Sequence, residues 1–183
     1  MLYLLVIIFG TLLVGIIDGL FFASGFFYGM LCAVLTTVSV IAIDGILAFL
    51  IRRLPTGWFS HGKRIFAVSK REKRFYRAIK INAWKDCVPE LGGFTNFHKN
   101  ELKSGNDREY LKRFILESNY GVVIHLSNAI LGILIIFLPF AQRMNIWFPI
   151  FIINFILSVL PMMILRYHLP VLEGLYCRCN DKN

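Results

Sequence analysis

The chain has 183 residues, 57% of them hydrophobic and 17% charged, with a mean hydropathy of +0.64 and a formal net charge of +9. That balance excludes a water-soluble globular domain, which carries more charge and less apolar surface, and describes an integral membrane protein. The charge is also concentrated, with 16 of the 20 Lys and Arg lying between Arg52 and Arg113.

Crossing a hydrocarbon core takes about 20 apolar residues at ~1.5 Å rise each. The first run that long is Leu2 to Phe22. The small residues Ala23, Ser24 and Gly25 follow it as they would in a cleavable leader, but a basic n-region is missing and the run exceeds an h-region, so a retained span is expected. The second run, Phe26 to Ile51, follows almost at once. The pair reads as a helical hairpin over residues 1–51.

Between Arg52 and Lys80 there are ten basic residues against one acid, Glu72. Ile65, Val68, Phe75, Ile79 and Ala83 recur there at helical spacing, with Phe66 and Tyr76 alongside. This is the pattern of an amphipathic helix lying on the bilayer, rings down and cations toward the headgroups. Tethered to a membrane, such a run meets lipid phosphate before nucleic acid, so membrane lipids are the expected partner and nucleic acid is not. An acidic carrier protein or a phosphate-bearing ligand is the other use of such a patch.

Beyond Trp84 the charge becomes mixed and turn residues appear at Pro89, Gly92, Gly93 and Ser104 to Asp107. They predict a loop that closes the 52–119 segment, with Asp107 capping the helix that follows. The third and fourth spans run from Tyr120 to Phe140 and from Ile146 to Leu165, a second hairpin over 120–165, and residues 166–183 form a tail. The fold class is therefore all-α: a polytopic protein with four transmembrane helices in two hairpins and a basic interfacial helix and loop between them. The distribution of Lys and Arg places both termini and the central segment in the cytoplasm.

Ionisable and amide groups inside the spans are costly unless they face protein or water. At 100° per residue Glu117, Gly121, His125, Asn128 and Gly132 share one stripe of the third helix. Asn154, Ser158 and Pro161 share a face of the fourth, and Thr11, Gly15 and Asp18 a face of the first, while Asp44 lies about two turns inside Arg52. Small and amide residues commonly serve helix packing, and Asp18 and Asp44 are read as packing or folding groups that pair with neighbours or sit in headgroup water. Glu117 and His125 stand apart because both can carry protons. Their eight-residue separation spans about 12 Å, so a substrate or a third group must lie between them if both act. Cys177-Arg178-Cys179 has no second ligand pair, and His61, His98 and His168 lack ligand spacing, so no metal is expected.

The order of the polar motifs carries a resemblance. Trp84-Lys85-Asp86 with Pro89, Glu117-Ser118 followed by Ile124-His125, Asn154 ahead of Pro161, and Arg166-Tyr167-His168-Leu169-Pro170-Val171-Leu172 resemble the bacterial glycosyl-4,4'-diaponeurosporenoate acyltransferases. The likeness runs from about Lys80 to Leu172. It departs at Leu169 and Val171, where that family has polar and basic residues in an R-Y-N-R-P-R ending, and this bears on the acceptor more than on the fold.

The resemblance implies O-acyl transfer to the sugar of a glycosylated carotenoid in a bacterial cell membrane. The acyl donor would be a cytosolic thioester on CoA or a carrier protein, and no cofactor would be needed. Hydroxyl attack on a thioester requires a base near neutral pKa. His125 is the candidate, Glu117 orients it or the substrate, and Asp86 is the alternative base. Lys85, Asn128 or Arg166 would donate to the developing oxyanion, with Trp84, Asn154 and Tyr167 as further substrate contacts. The reading from a different class is a non-enzymatic four-helix assembly factor or lipid-binding partner.

Overall fold

The computed structural model describes residues 2–22, 25–88 and 108–180. Among these residues every regular element is helical. Four helical stretches are long and apolar enough to cross a membrane: Tyr3–Phe21, Phe26–Arg52, Arg108–Phe137 and Met144–Cys179. The expected loop residues Pro89, Gly92 and Gly93 and the expected cap Asp107 lie outside the described residues.

In chain order the α-helices are α1 (Leu2–Phe21), α2 (Phe26–Arg52), α3 (Lys70–Ala78), α4 (Ile81–Trp84), α5 (Arg108–Leu131) and α6 (Met144–Asn180). The chain divides into two units, Met1–Ile51 with Ile124–Val159, and Arg52–Val123 with Leu160–Asn183.

In the first unit α1 and α2 meet backbone to backbone. A Cβ built on Gly29 would stand 2.5 Å from the Gly19 Cα, so only glycine permits that approach. Val14, Cys32, Ala33, Val40, Ile135, Ile146 and Ile150 form the core beneath it. The outward side chains of α1 and α2, such as Phe9, Leu20 and Phe27, are exposed apolar groups suited to hydrocarbon.

Several polar groups in this unit bond one another, as a lipid setting favours. The Thr11 and Thr37 hydroxyls bond each other at 2.9 Å. Asp18, fully buried, receives the Arg143 guanidinium and, at 2.7 Å, the Asn145 amide. The Arg143 guanidinium also lies 5.3 Å from the Tyr28 ring. The expectation that Asp18 pairs with a neighbour thus describes a three-residue lock between α1 and the start of α6. Tyr3 donates to the Leu157 carbonyl at 3.0 Å. Pro161, four residues on, has no N–H to offer that carbonyl, so α1 supplies the hydrogen bond that α6 cannot make for itself.

Three expectations are corrected by the structure. The third span does not stay α-helical to Phe140: α5 ends at Leu131 and tightens into 3₁₀ turns over Gly132–Phe137 and Pro139–Ala141. The Asn154 amide reaches the Asn128 carbonyl at 3.4 Å at this junction. A Cβ at Gly132 would stand 2.7 Å from that amide nitrogen. The residues after 165, expected simply as a tail, are helical, because α6 runs on to Asn180. Leu165, Leu169, Leu172 and Tyr176 recur every three or four residues and are all buried, so packing of one face sustains the helix.

The basic stretch, finally, is not one long interfacial helix. It forms 3₁₀ turns at Thr56–Trp58 and Arg64–Phe66, and then the nine-residue α3. The chain after α3 turns through Lys80, whose φ of 49° is left-handed and uncommon for a residue with a side chain. Trp84 closes that turn, its indole N–H donating to the Ile79 carbonyl at 3.0 Å. Within the second unit Phe66 and Tyr76 point inward, whereas Ile65 and Phe75 of the expected apolar stripe are exposed. Phe59 is held from α5: its ring stacks on Tyr120 at 4.0 Å and its carbonyl accepts the Asn119 amide at 2.8 Å.

Candidate functional site

The second unit brings together two stretches that lie some eighty residues apart in sequence. Lys85 opens the 3₁₀ turn Lys85–Cys87 that continues from α4. Its ammonium lies 6.0 Å from the centre of the Tyr167 ring on α6, at the outer limit of a cation–π contact. Trp84 and Tyr167 both pack on a small core of Tyr76, Ile81 and Ile164. Asp86 follows Lys85 on the same turn and is exposed. Of the residues expected to contact substrate, Trp84, Lys85, Arg166 and Tyr167 therefore belong to one unit, together with Asp86.

Beneath Tyr167 lies a group that the sequence reading passed over. Glu72 accepts from the Arg166 Nε at 2.5 Å through Oε1 and from an Arg166 terminal nitrogen at 2.9 Å through Oε2. Its Oε1 also takes the Tyr76 hydroxyl at 2.5 Å. This two-pronged pairing gives the guanidinium a fixed plane as well as a counter-charge. Arg166, expected to be an oxyanion donor, is thus engaged with Glu72 and, at 3.4 Å, with the Ala67 carbonyl. The local sequence explains why Glu72 stands there. Ser69 caps α3 by accepting from the Glu72 N–H at 3.1 Å, and Ser69-Lys70-Arg71-Glu72 has the S-x-x-E spacing of a capping box. That spacing, with Tyr76 one turn later, was the available signal.

The Arg166 hydrogen bonds hold the Glu72 carboxyl below the usual carboxylate range, against the opposing effect of burial and with help from Tyr76. Burial and the Glu72 carboxylate push the Tyr76 phenol up, which keeps it a donor. A carboxyl lowered on folding stabilises the fold above its unfolded pKa of about 4.3 and loses that contribution as pH falls through the folded value. The thermal midpoint of the native chain should therefore exceed that of Glu72→Gln by a constant amount from about pH 7 to 5. The gap should close as acid is added below about pH 4.3. A gap that persists into strong acid would show that Glu72 contributes through shape, not charge.

Glu117 is engaged in an ion pair. It bonds Arg52 at 3.0 Å, and the Arg52 guanidinium also lies 5.9 Å from the Tyr120 ring. Both charges stand at the ends of apolar spans, where a cation closing α2 and an acid on α5 neutralise each other. Gly121 of the same stripe is a packing position, since a Cβ there would lie 2.7 Å from Leu165 Cδ1.

His125 belongs to the first unit and is half-buried on α5. Asn128 and Asn154, in the same unit, are buried and meet in the helix-end contact described above. The Asp44 carboxylate lies beside Asn154. Among the described residues, Asp44 Oδ1 and Asn128 Oδ1 are buried and meet no hydrogen-bond donor. The expected site residues are thus divided between the units. Trp84, Lys85, Asp86, Glu117, Arg166 and Tyr167 lie in the second, and His125, Asn128 and Asn154 in the first. Among the described residues no three His, Cys, Asp or Glu stand together as metal ligands.

Set beside known proteins, residues 55–178 match the family model described as glycosyl-4,4'-diaponeurosporenoate acyltransferase. The match takes in most of the basic stretch, the Trp84-Lys85 turn, α5 and nearly all of α6. No curated protein and no solved structure matches the chain.

Proposed function

Because the chain belongs to the glycosyl-4,4'-diaponeurosporenoate acyltransferase family, we propose that it moves a fatty acyl chain from a cytosolic thioester to a sugar hydroxyl of a glycosylated carotenoid in the membrane. The observation that carries this reading is the meeting of the family-matched Trp84-Lys85 and Arg166-Tyr167 stretches, with the Lys85 ammonium on the Tyr167 ring. A cation on an aromatic shelf suits a thioester donor, which joins an anionic carrier to an apolar chain.

In the reaction the acceptor hydroxyl oxygen attacks the thioester carbonyl carbon. A C–O bond forms, the C–S bond breaks, and the thiolate leaves and takes up a proton. We assign removal of the hydroxyl proton to His125, since neutral imidazole is the side chain suited to that task near pH 7. Asp86 is the other candidate base. Donor contact is assigned separately to Trp84, Lys85 and Tyr167. Glu117, paired with Arg52, keeps an orienting role by holding α5.

The ten exposed cations between Arg52 and Lys80, with exposed Trp58, Ile65 and Phe75 among them, suit an anionic leaflet. By the positive-inside rule that face and both termini are cytoplasmic. A reporter fused to either terminus that reads the outer side would overturn this orientation. The activity is tested by lipid mass spectrometry of pigmented cells with and without the protein. Acylated glycosyl carotenoid should be lost and its unacylated precursor should accumulate. An unchanged carotenoid profile, with another acylated lipid lost, would move the acceptor to that lipid.

A further inference from the structure

We propose that Glu72 is a positioning residue for acyl transfer, acting through Tyr167 on Lys85. The proposal rests on the reading above, in which Lys85 contacts the acyl donor.

Glu72 reaches Tyr167 by two routes. Its carboxylate fixes Arg166 through two hydrogen bonds of 2.5 and 2.9 Å, and Arg166 precedes Tyr167 on α6. The same carboxylate takes the Tyr76 hydroxyl at 2.5 Å, and the Tyr76 ring stands edge-on to the Tyr167 ring at 6.0 Å and 89°. Tyr167 is in turn the ring on which the Lys85 ammonium rests at 6.0 Å. One carboxylate therefore sets both the backbone entry to Tyr167 and the wall beside its ring. Glu72 is the single acid among the ten cations from Arg52 to Lys80. In an otherwise cationic stretch it is spent on an arginine more than ninety residues away, with its side chain 22% exposed. A general counter-charge would instead have served the exposed cations on its own helix.

The shelf loses its fixed orientation when the carboxylate is neutralised, although the fold keeps the apolar contacts of Tyr76, Ile81 and Ile164. Glu72→Gln preserves size and one acceptor oxygen while removing charge and one acceptor.

The test is a double-mutant cycle on purified protein in nanodiscs. The acceptor is glycosyl carotenoid, and the donor is whichever of palmitoyl-CoA and palmitoyl-carrier protein the native enzyme turns over. Lys85→Ala alone should raise donor KM about tenfold, the effect of one charge-assisted contact. Glu72→Gln should raise it by about the same factor with kcat within about twofold, and should add less than about twofold in the Lys85→Ala background. Acceptor KM should stay unchanged throughout.

Tyr76→Phe, which keeps the ring and removes only the hydroxyl, provides the same cycle should Glu72→Gln fail to fold. Its expected effect is about threefold. Independent, multiplying effects of Glu72 and Lys85 would overturn the positioning role and leave the donor contact standing. A Lys85→Ala enzyme with native donor KM, or turnover of neither donor, would remove the donor reading and this proposal with it.

Discussion

Replacing His125 with alanine should lower acyl transfer about 10²- to 10⁴-fold, the range over which a positioned general base contributes. A sugar hydroxyl is a poor nucleophile until its proton has somewhere to go. Lipid mass spectrometry of cells carrying His125→Ala should show the unacylated precursor accumulating at a normal membrane level of the protein. His125→Gln, which keeps a hydrogen-bonding side chain on α5, separates loss of a base from loss of packing. It should be as inactive as the alanine variant. Native activity in both variants would pass the role to Asp86, whose own replacement should then abolish turnover.

The largest effect on stability should come from Arg143→Ala. Asp18 is fully buried between α1 and α6, with the guanidinium as its counter-charge. Removing one partner of a buried pair leaves an uncompensated charge and costs about 3–5 kcal/mol. The Asn145 amide at 2.7 Å remains, but it brings no charge. Heating the protein in detergent while following helicity by circular dichroism should show an early loss of structure. Adding Asp18→Ala to Arg143→Ala should recover a large part of it, because the stranded carboxylate is then gone. Equal stability of Arg143→Ala and the native chain would mean that Asp18 is satisfied without its ion pair.

The spans were legible because their physics is local: a run of apolar residues of sufficient length is itself the signal. The first two were placed to within a residue. Where helices began or ended for tertiary reasons, the sequence was less informative. The heptad-like recurrence of Leu165, Leu169, Leu172 and Tyr176 was present, but Pro170 and the flanking polar residues masked it. The basic stretch was read by periodicity as one helix. The inward Tyr76 depends on Ile164 and Tyr167 of α6, partners that no local window contains.

The same distinction separates the site residues. Trp84, Lys85, Arg166 and Tyr167 were named from short motifs, and they lie in one unit. Glu72 was missed because its importance arises from Arg166, ninety-four positions later. Helical periodicity in the sequence puts Glu117, Gly121, His125, Asn128 and Gly132 on one stripe. Its members then took different tasks: Glu117 an ion pair, Gly121 a close contact, and Asn128 a helix-end carbonyl for Asn154.

The hydroxyl of Tyr3 and the ring of Pro161 form a compensating couple at opposite ends of the chain. A relative with an ordinary residue at the proline position would restore the missing backbone donor, and phenylalanine at the tyrosine position would then be tolerated. Losing the phenol while keeping the imino acid would strand a carbonyl in hydrocarbon. Substitutions at these two positions should therefore arise in a fixed order, proline first.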